Sequence, residues 1–268
     1  MSNVKSPELW TLLLRLGVDA IDYMLYSTVE RGTLRLGHVV PDNAGGDALR
    51  AVENAVYDTP LLLDDYGKVR VLFDAPHFLV LPGDTTDDDA TRLLEIAYGA
   101  QPQCEAMTCH LPQCDKVLAW HVPQGMPGFL GRTFNLPDVY YHLYPLCEHF
   151  HRLNVGSDIS RMFLCMRAGA MDMIVYSRGE LLAANTFKFT DINDAVYFAL
   201  HAWESLGLDQ HHDEIQLVGN REHRALLVRG LSDYVKYVMP SIFPAAALRL
   251  GKDVMNAPTE LTLLSLCE

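Results

Sequence analysis

Long apolar stretches are missing from this chain of 268 residues, and closely paired cysteine motifs are scarce. No run of about 18 consecutive apolar residues is present, so we expect no transmembrane helix and no membrane partner. The first ten residues, MSNVKSPELW, lack the apolar segment of a signal peptide. The expected location is therefore the cytoplasm, where the six cysteines would be reduced thiols.

Basic residues are also few. The chain has 21 lysines and arginines against 34 acidic residues, which gives a formal charge of −13. A nucleic-acid partner needs a basic face for the phosphates, so the charge balance argues against one. A protein partner stays open, and nothing in the sequence indicates the oligomeric state.

One cysteine cluster is the best candidate for a metal site. Cys104, Cys109, His110 and Cys114 form the pattern C-x4-C-H-x3-C, and thiolates with imidazole suit zinc. The spacing differs from the C-x2-C of zinc knuckles, and no second cysteine pair follows. A loop with reduced thiols is the favoured interpretation, and a zinc-bearing adaptor is the alternative.

Other polar clusters favour structural roles. His149 and His151, next to Glu148, could serve as ligands or acid–base groups, but residues two apart do not share a helix face. A surface or interface role is therefore favoured. The acidic run at residues 84–89 lacks the spacing of a calcium loop and is better explained as a capped helix start. Residues 211–213 are interpreted as a solvated turn.

Strand and turn signals recur in both halves of the chain. Residues 12–40 predict three strands with turns at 17–19 and 30–32, and residues 159–189 predict a second three-stranded meander. A helix is expected after each meander, the first beginning at Asp47 and the second at Thr190 or Asp191. Residues 213–220, DEIQLVGN, predict a buried strand that ends in a glycine turn.

The two hairpins also share a residue pattern. LLLRLGVDAIDYMLYS and LCMRAGAMDMIVYS each contain an Arg two residues before a Gly, then an Asp, and each ends in Tyr–Ser. An Arg–Gly turn follows both, at residues 31–32 and 178–179. The pattern favours a duplicated domain. A chance similarity of two short hairpins is the alternative.

A longer segment carries a family resemblance. LLAANTFKFTDINDAVYFALHAWESLGLD followed by EIQLVGN resembles a bacterial family of domain-of-unknown-function proteins that has an actin-like ATPase fold. The resemblance rests on Leu181, Asn185, Phe187, Phe189, Asp194, Tyr197, Phe198 and Gly219. Read from the residues alone, Asn185, Phe187 and Phe189 favour a structural role, with Tyr197 and Phe198 packed against their strand. A partner surface is the alternative.

The resemblance implies a fold and a domain division. The fold is α/β, with two duplicated actin/Hsp70-like (ribonuclease H-like) subdomains whose mixed sheets face a cleft. The expected domains are residues 1–153 and residues 154–268. The family has no established activity, so the resemblance implies no function of its own.

The resemblance also implies where a ligand would bind. Active members of this superfamily hold Mg²⁺ with an acid in the first loop and another in the second, and the matching residues here are Arg15 and Arg167. A cation at these positions would repel a metal ion but could contact a phosphate directly. The implied anion or nucleotide site consists of Arg15, Gly17, Arg167, Gly169, Gly219 and Asn220. The alternative is that both arginines are solvated turn residues and the glycines are ordinary turn residues.

These residues predict a cytoplasmic, non-catalytic binding or scaffold protein that needs no metal or cofactor. An ATP-binding protein with weak or partner-dependent hydrolysis is the alternative, and ATP is the cofactor that it would use. A zinc adaptor, based on the cysteine cluster, is the third interpretation.

Overall fold

The computed structural model describes residues 4–17, 19–42, 46–219 and 221–267. Contacts divide the chain into two compact units, Met1–Tyr144 with Ala245–Glu268, and Pro145–Pro244. We call them unit 1 and unit 2. The predicted domains, 1–153 and 154–268, differ from these units in the placement of residues 145–153 and 245–268, and they stay a prediction of how the chain is organised.

Thirteen strands and seven α-helices are present in the described residues. The strands are β1 Trp10–Leu16, β2 Ile21–Ser27, β3 Arg35–Val39, β4 Lys68–Phe73, β5 Phe78–Pro82, β6 Cys104–Leu111, β7 Lys116–Pro123, β8 Asp138–Tyr141, β9 Arg161–Arg167, β10 Ala170–Ser177, β11 Glu180–Lys188, β12 Glu214–Val218 and β13 Tyr237–Pro240. The helices are α1 Ala48–Tyr57, α2 Asp87–Tyr98, α3 Met126–Thr133, α4 Tyr144–Asn154, α5 Ile192–Ser205, α6 Arg221–Leu231 and α7 Thr259–Leu264. Short 3-10 turns connect several of them. No helix in the described part of the chain is both long and apolar enough to cross a membrane.

The same sheet topology occurs in both units. Unit 1 has the strand order β3-β2-β1-β4-β8, and unit 2 has the order β11-β10-β9-β12-β13. In each sheet the first three strands of the unit are antiparallel and the last two join in parallel. Unit 1 carries a third sheet, β5-β7-β6. The prediction of two similar α/β halves with mixed sheets is confirmed.

Apolar strand faces build a core in each unit. In unit 1, Leu13, Met24 and Leu72 pack with Leu261 and Leu264 of the C-terminal segment. In unit 2, alternate residues of β9 and β10 pack against α5 and α6. Strands in the middle of a sheet are covered on both faces, which explains their near-continuous apolar sequences.

Helix starts follow the predicted caps. Asp47 accepts a hydrogen bond from the Arg50 amide at the start of α1, and Thr86 accepts one from the Asp89 amide at the start of α2. Asp191 and Asp194 form a capping box at α5. The acidic run at residues 84–89 is therefore a capped helix start, as predicted.

Three local interpretations need correction. Cys104, Cys109 and His110 lie on the strand β6 rather than in a loop, because this strand pairs with β7 along its whole length, whereas Cys114 lies in the turn between them. Asp213 is buried rather than solvated, since its carboxylate accepts hydrogen bonds from the Ser160 and Asp209 amides. Tyr197 remains largely exposed, whereas Phe198 stacks on Phe187 with ring centroids 4.9 Å apart.

Candidate functional site

The first turn of unit 1 holds a network of charged side chains. Arg15 at the end of β1 lies directly opposite Asp22 on β2, and Asp22 lies opposite His38 on β3. The Arg15 guanidinium donates to Asp22, with Nε 3.1 Å from Oδ2, and also to the Glu260 carboxylate of α7. His38 Nδ1 lies 2.8 Å from Asp22 Oδ1. The alternative in which Arg15 is a solvated turn residue is therefore wrong.

Burial strengthens this network. Asp22 and Glu260 are both buried, and two buried carboxylates need a cation nearby. Burial alone would lower the pKa of Arg15, but the negative charges of Glu260 and Asp22 outweigh it and raise the pKa above its ordinary value. Arg15 is thus a permanent cation that neutralises part of an acidic cluster.

Two more titratable groups follow the neighbouring parallel strands. Asp74 follows β4, its amide donates to the Leu16 carbonyl, and its Oδ1 lies 3.5 Å from Nδ1 of the buried His142. Gly17 closes the turn by donating its amide to the Ala20 carbonyl. These groups lie at the carboxyl ends of parallel strands, where α/β proteins usually bind ligands.

Unit 2 repeats the arginine–aspartate pair. Arg167 at the end of β9 binds Asp172 of β10 through two bonds, Nε to Oδ2 at 2.8 Å and Nη2 to Oδ1 at 3.1 Å. Thr186 of β11 donates to Asp172 Oδ1 at 2.7 Å, in the place that His38 takes in unit 1. Asp172 is only 1% exposed. Arg167, like Arg15, is therefore a paired cation and not a solvated turn residue.

The predicted glycines differ in whether their surroundings leave room for a side chain. Gly169 has a φ of +66° at the β9–β10 turn, where a side chain would meet no atom within 4 Å. Gly219 has a φ of +123°, and a Cβ there would lie 2.9 Å from the Met166 carbonyl oxygen. Gly219 is thus required by the close approach of the β12 end to β9. Asn220 lies outside the described residues.

The structure places the predicted site residues in two local groups. Arg15 and Gly17 share the first turn of unit 1. Gly169 follows Arg167 in the β9–β10 turn, and Gly219 packs on Met166, the residue before Arg167. A ligand site formed by all six predicted residues stays a prediction.

The described residues of the two turns present arginines where a magnesium–nucleotide complex would need carboxylates. The family resemblance matches Arg15 and Arg167 to the metal acids of active superfamily members, and both guanidiniums are already bound to the nearby Asp22 and Asp172. Within the described ranges, no group of three or more His, Cys, Asp or Glu side chains could hold a metal ion. The donor set does not fit Mg²⁺.

The zinc hypothesis meets a similar obstacle. Successive residues of a strand point to opposite faces, so Cys109 lies on the face opposite Cys104 and His110. Cys109 is buried, and burial raises the pKa of its thiol to about 12. A protonated thiol is a poor metal ligand.

The residue pattern of the two hairpins contains the arginines and the aspartates Asp22 and Asp172, but not the further partners Glu260, His38 and Thr186. The two aspartates follow the turns in both copies of the repeat, so the repeat itself carried the signal. Glu260 lies 245 positions from Arg15, and no local pattern could have joined them. His38 and Thr186 were identifiable only once the strand register was known.

The family model described as "Protein of unknown function (DUF3822)" matches residues 2–238. The chain belongs to this family. No match was found among curated proteins.

Solved structures agree on the fold. A Bacteroides thetaiotaomicron VPI-5482 protein with an actin-like ATPase fold and unknown function superimposes with a TM-score of 0.81, 20% identity and 100% coverage of both chains. A chain of the PilM-PilN type IV pilus biogenesis complex matches with a TM-score of 0.51 and 13% identity, over 96% of this chain and 97% of that one. This member of the DUF3822 family therefore has an actin-like ATPase fold.

Proposed function

We propose that this DUF3822 protein is a non-catalytic binding or scaffold protein of the cytoplasm, built on an actin-like ATPase fold. One observation carries the proposal. Arg15 and Arg167, which the resemblance matches to the metal acids of active relatives, are each bound to an aspartate of the next strand.

The charges oppose metal-assisted phosphoryl transfer. That chemistry depends on metal ions that neutralise the phosphate oxygens. A divalent cation at either turn would meet a guanidinium and would have to separate an existing ion pair. In unit 2, this would leave the negative charge of Asp172 without its cation, although Asp172 is only 1% exposed and is bound by both Arg167 and Thr186. The same arginine–aspartate pairs therefore stabilise the hairpins and exclude a divalent metal ion.

A binding role is supported by one structural neighbour. The matched chain of the PilM-PilN complex belongs to an assembly of proteins, so a protein of this fold can act by association. The formal charge of −13 favours a protein partner over nucleic acid.

Measuring phosphate release from ATP in the presence of Mg²⁺ tests whether the protein catalyses ATP hydrolysis. We expect no release above the uncatalysed background. Magnesium-dependent release that follows the protein through purification and falls in Arg167→Lys would overturn the proposal. That variant keeps the positive charge of residue 167 but loses the two-bond geometry.

Nucleotide binding without hydrolysis is a separate outcome. Calorimetric titration with ATP and ADP, with and without Mg²⁺, measures it directly. We expect no gain in affinity with Mg²⁺, because Asp22 and Asp172 are already bound to the arginines. Affinity that rises with Mg²⁺ would favour the ATP-binding alternative. The scaffold role requires a partner protein that co-purifies with this chain. A stoichiometric complex must then form again when the two purified proteins are mixed.

A further inference from the structure

A cavity of about 490 Å³ lies in unit 1, at the opposite end of the sheet from the Arg15–Asp22 pair. Its lining includes Thr11 near the start of β1, Ser27 at the end of β2 and Lys68 at the start of β4. The connection at residues 28–33 forms another part of the wall. This volume lies within the range of about 300–1,000 Å³ that is usual for small-molecule sites.

The lining is basic although the chain is acidic. Arg31, Lys68, Arg70 and Arg249 are among the lining residues, and Glu30 is the acid among them. Asp138, outside the lining, lies 4.0 Å from Lys68 Nζ. Glu30 and Asp138 offset part of this positive charge, and among the described residues the lining favours an anion.

Arg70 gives a second, independent indication. It is 7% exposed, and its Nη1 donates to the backbone carbonyls of Leu264 and Cys267. Its Nε is buried and has no hydrogen-bond partner in the described residues, because Asp138 Oδ2 lies 3.6 Å away. Buried donors are rarely left unpaired, so Arg70 keeps hydrogen-bonding capacity beyond the two backbone carbonyls, and its positive charge lies in the cavity wall.

Unit 2 provides an internal comparison. The corresponding strand ends border another cavity, lined by Ser160, Ser177 and the Arg178 turn. Asp158, Glu180 and Asp213 are acids in that lining, and Arg178 is the arginine among them. The two units share strand order but not the charge of this cavity. The basic lining is thus specific to unit 1 and does not follow from the fold.

We propose that the unit 1 cavity binds a small organic or inorganic dianion through Arg31, Lys68 and Arg70. Two adjacent anionic oxygens, as in a phosphate monoester or a dicarboxylate, match the forked guanidinium donors. Hydroxyls of Thr11 and Ser27 line the same wall and can contribute further donors.

Calorimetric titration of the full chain in phosphate-free buffer tests this site, with inorganic phosphate, pyrophosphate and citrate as probes. We expect at least one probe to bind, and Arg31→Ala/Lys68→Ala to weaken it by about tenfold or more. Affinity should also fall with added salt, because part of the cavity is open to solvent. Comparing the phosphates with citrate shows which anion chemistry the cavity prefers.

The matched control is Arg178→Ala, which removes the exposed arginine of the equivalent hairpin turn in unit 2. It should leave affinity unchanged. No binding of any probe at millimolar concentration, or equal weakening in the control, would overturn the proposal. Arg70 is kept in all variants because it also binds the backbone of the C-terminal segment. The result does not depend on ATP hydrolysis, so this site and the proposed function can fail separately.

Discussion

At the scale of single residues, the two arginine–aspartate pairs differ from ordinary surface ion pairs. Asp172 is almost fully buried, so its negative charge depends on Arg167 and Thr186 for compensation. Breaking a buried pair is costly because the remaining charge stays in an environment of low polarity. The pairs are thus part of what holds each hairpin in register.

Replacing Arg167 with methionine should therefore destabilise unit 2 by about 3 kcal/mol, because Asp172 would lose its cation. Arg167→Met/Asp172→Asn should recover part of this loss, since the buried charge is then removed. Urea unfolding of the single and double variants measures both effects. Arg178→Ala, at an exposed turn nearby, serves as the control and should change stability by less than about 0.5 kcal/mol. Equal losses in the single and double variants would argue against a coupled pair.

His149 on α4 should make stability depend on pH. Burial, with a smaller contribution from Arg152, lowers the pKa of His149 to about 4 in the folded protein. An unfolded chain binds this proton near pH 6.5. Between these values the unfolded state holds more protons, so stability falls as pH decreases, by at most about 3 kcal/mol. Urea unfolding across this window should show a shallower decline for His149→Gln than for the unchanged protein. Parallel curves would remove His149 as the cause.

At the scale of elements, the end of β12 is fixed by its approach to β9. Gly219→Ala should cost about 3 kcal/mol, because the left-handed backbone is strained by a side chain and the new Cβ would press on the Met166 carbonyl. Gly169→Ala is the matched control, since its φ is also positive but its surroundings are open. It should cost about 1 kcal/mol. Thermal unfolding of both variants separates the cost of backbone strain from the cost of the steric contact. Equal losses of stability would mean that the structure relaxes to relieve the contact at residue 219.

Elements were predictable where signals are local. The helix start at Asp47, the capping box at Asp191 and both meanders follow from adjacent residues. β6 was missed because its cysteines and histidine suggested a metal site, while its pairing with β7 depends on another segment. For the candidate site, the two arginines and their aspartates were visible in the repeat. Glu260 was not, because its partner is remote in the sequence.

At the scale of the whole chain, unit 1 is completed by residues that come after unit 2. Val254, Leu261 and Leu264 are buried in the unit 1 core, Glu260 binds Arg15, and Arg70 binds the carbonyls near the end of α7. Unit 2 has a core made from its own residues, including Met162, Met173 and Trp203. The two units therefore depend differently on the C-terminal segment, residues 245–267.

Removing the side chains of Leu261 and Leu264 should consequently affect unit 1 first. Leu261→Ala/Leu264→Ala leaves cavities in its core, and each buried leucine lost costs about 2–5 kcal/mol. Hydrogen exchange should show lost protection in β1, β2 and β4, which share this core. β9, β10 and β12 should keep their protection, because their core contains neither leucine. Leu248→Ala, at an exposed position of the same segment, should leave both units unchanged. Equal loss of protection in both units would show that they unfold as one.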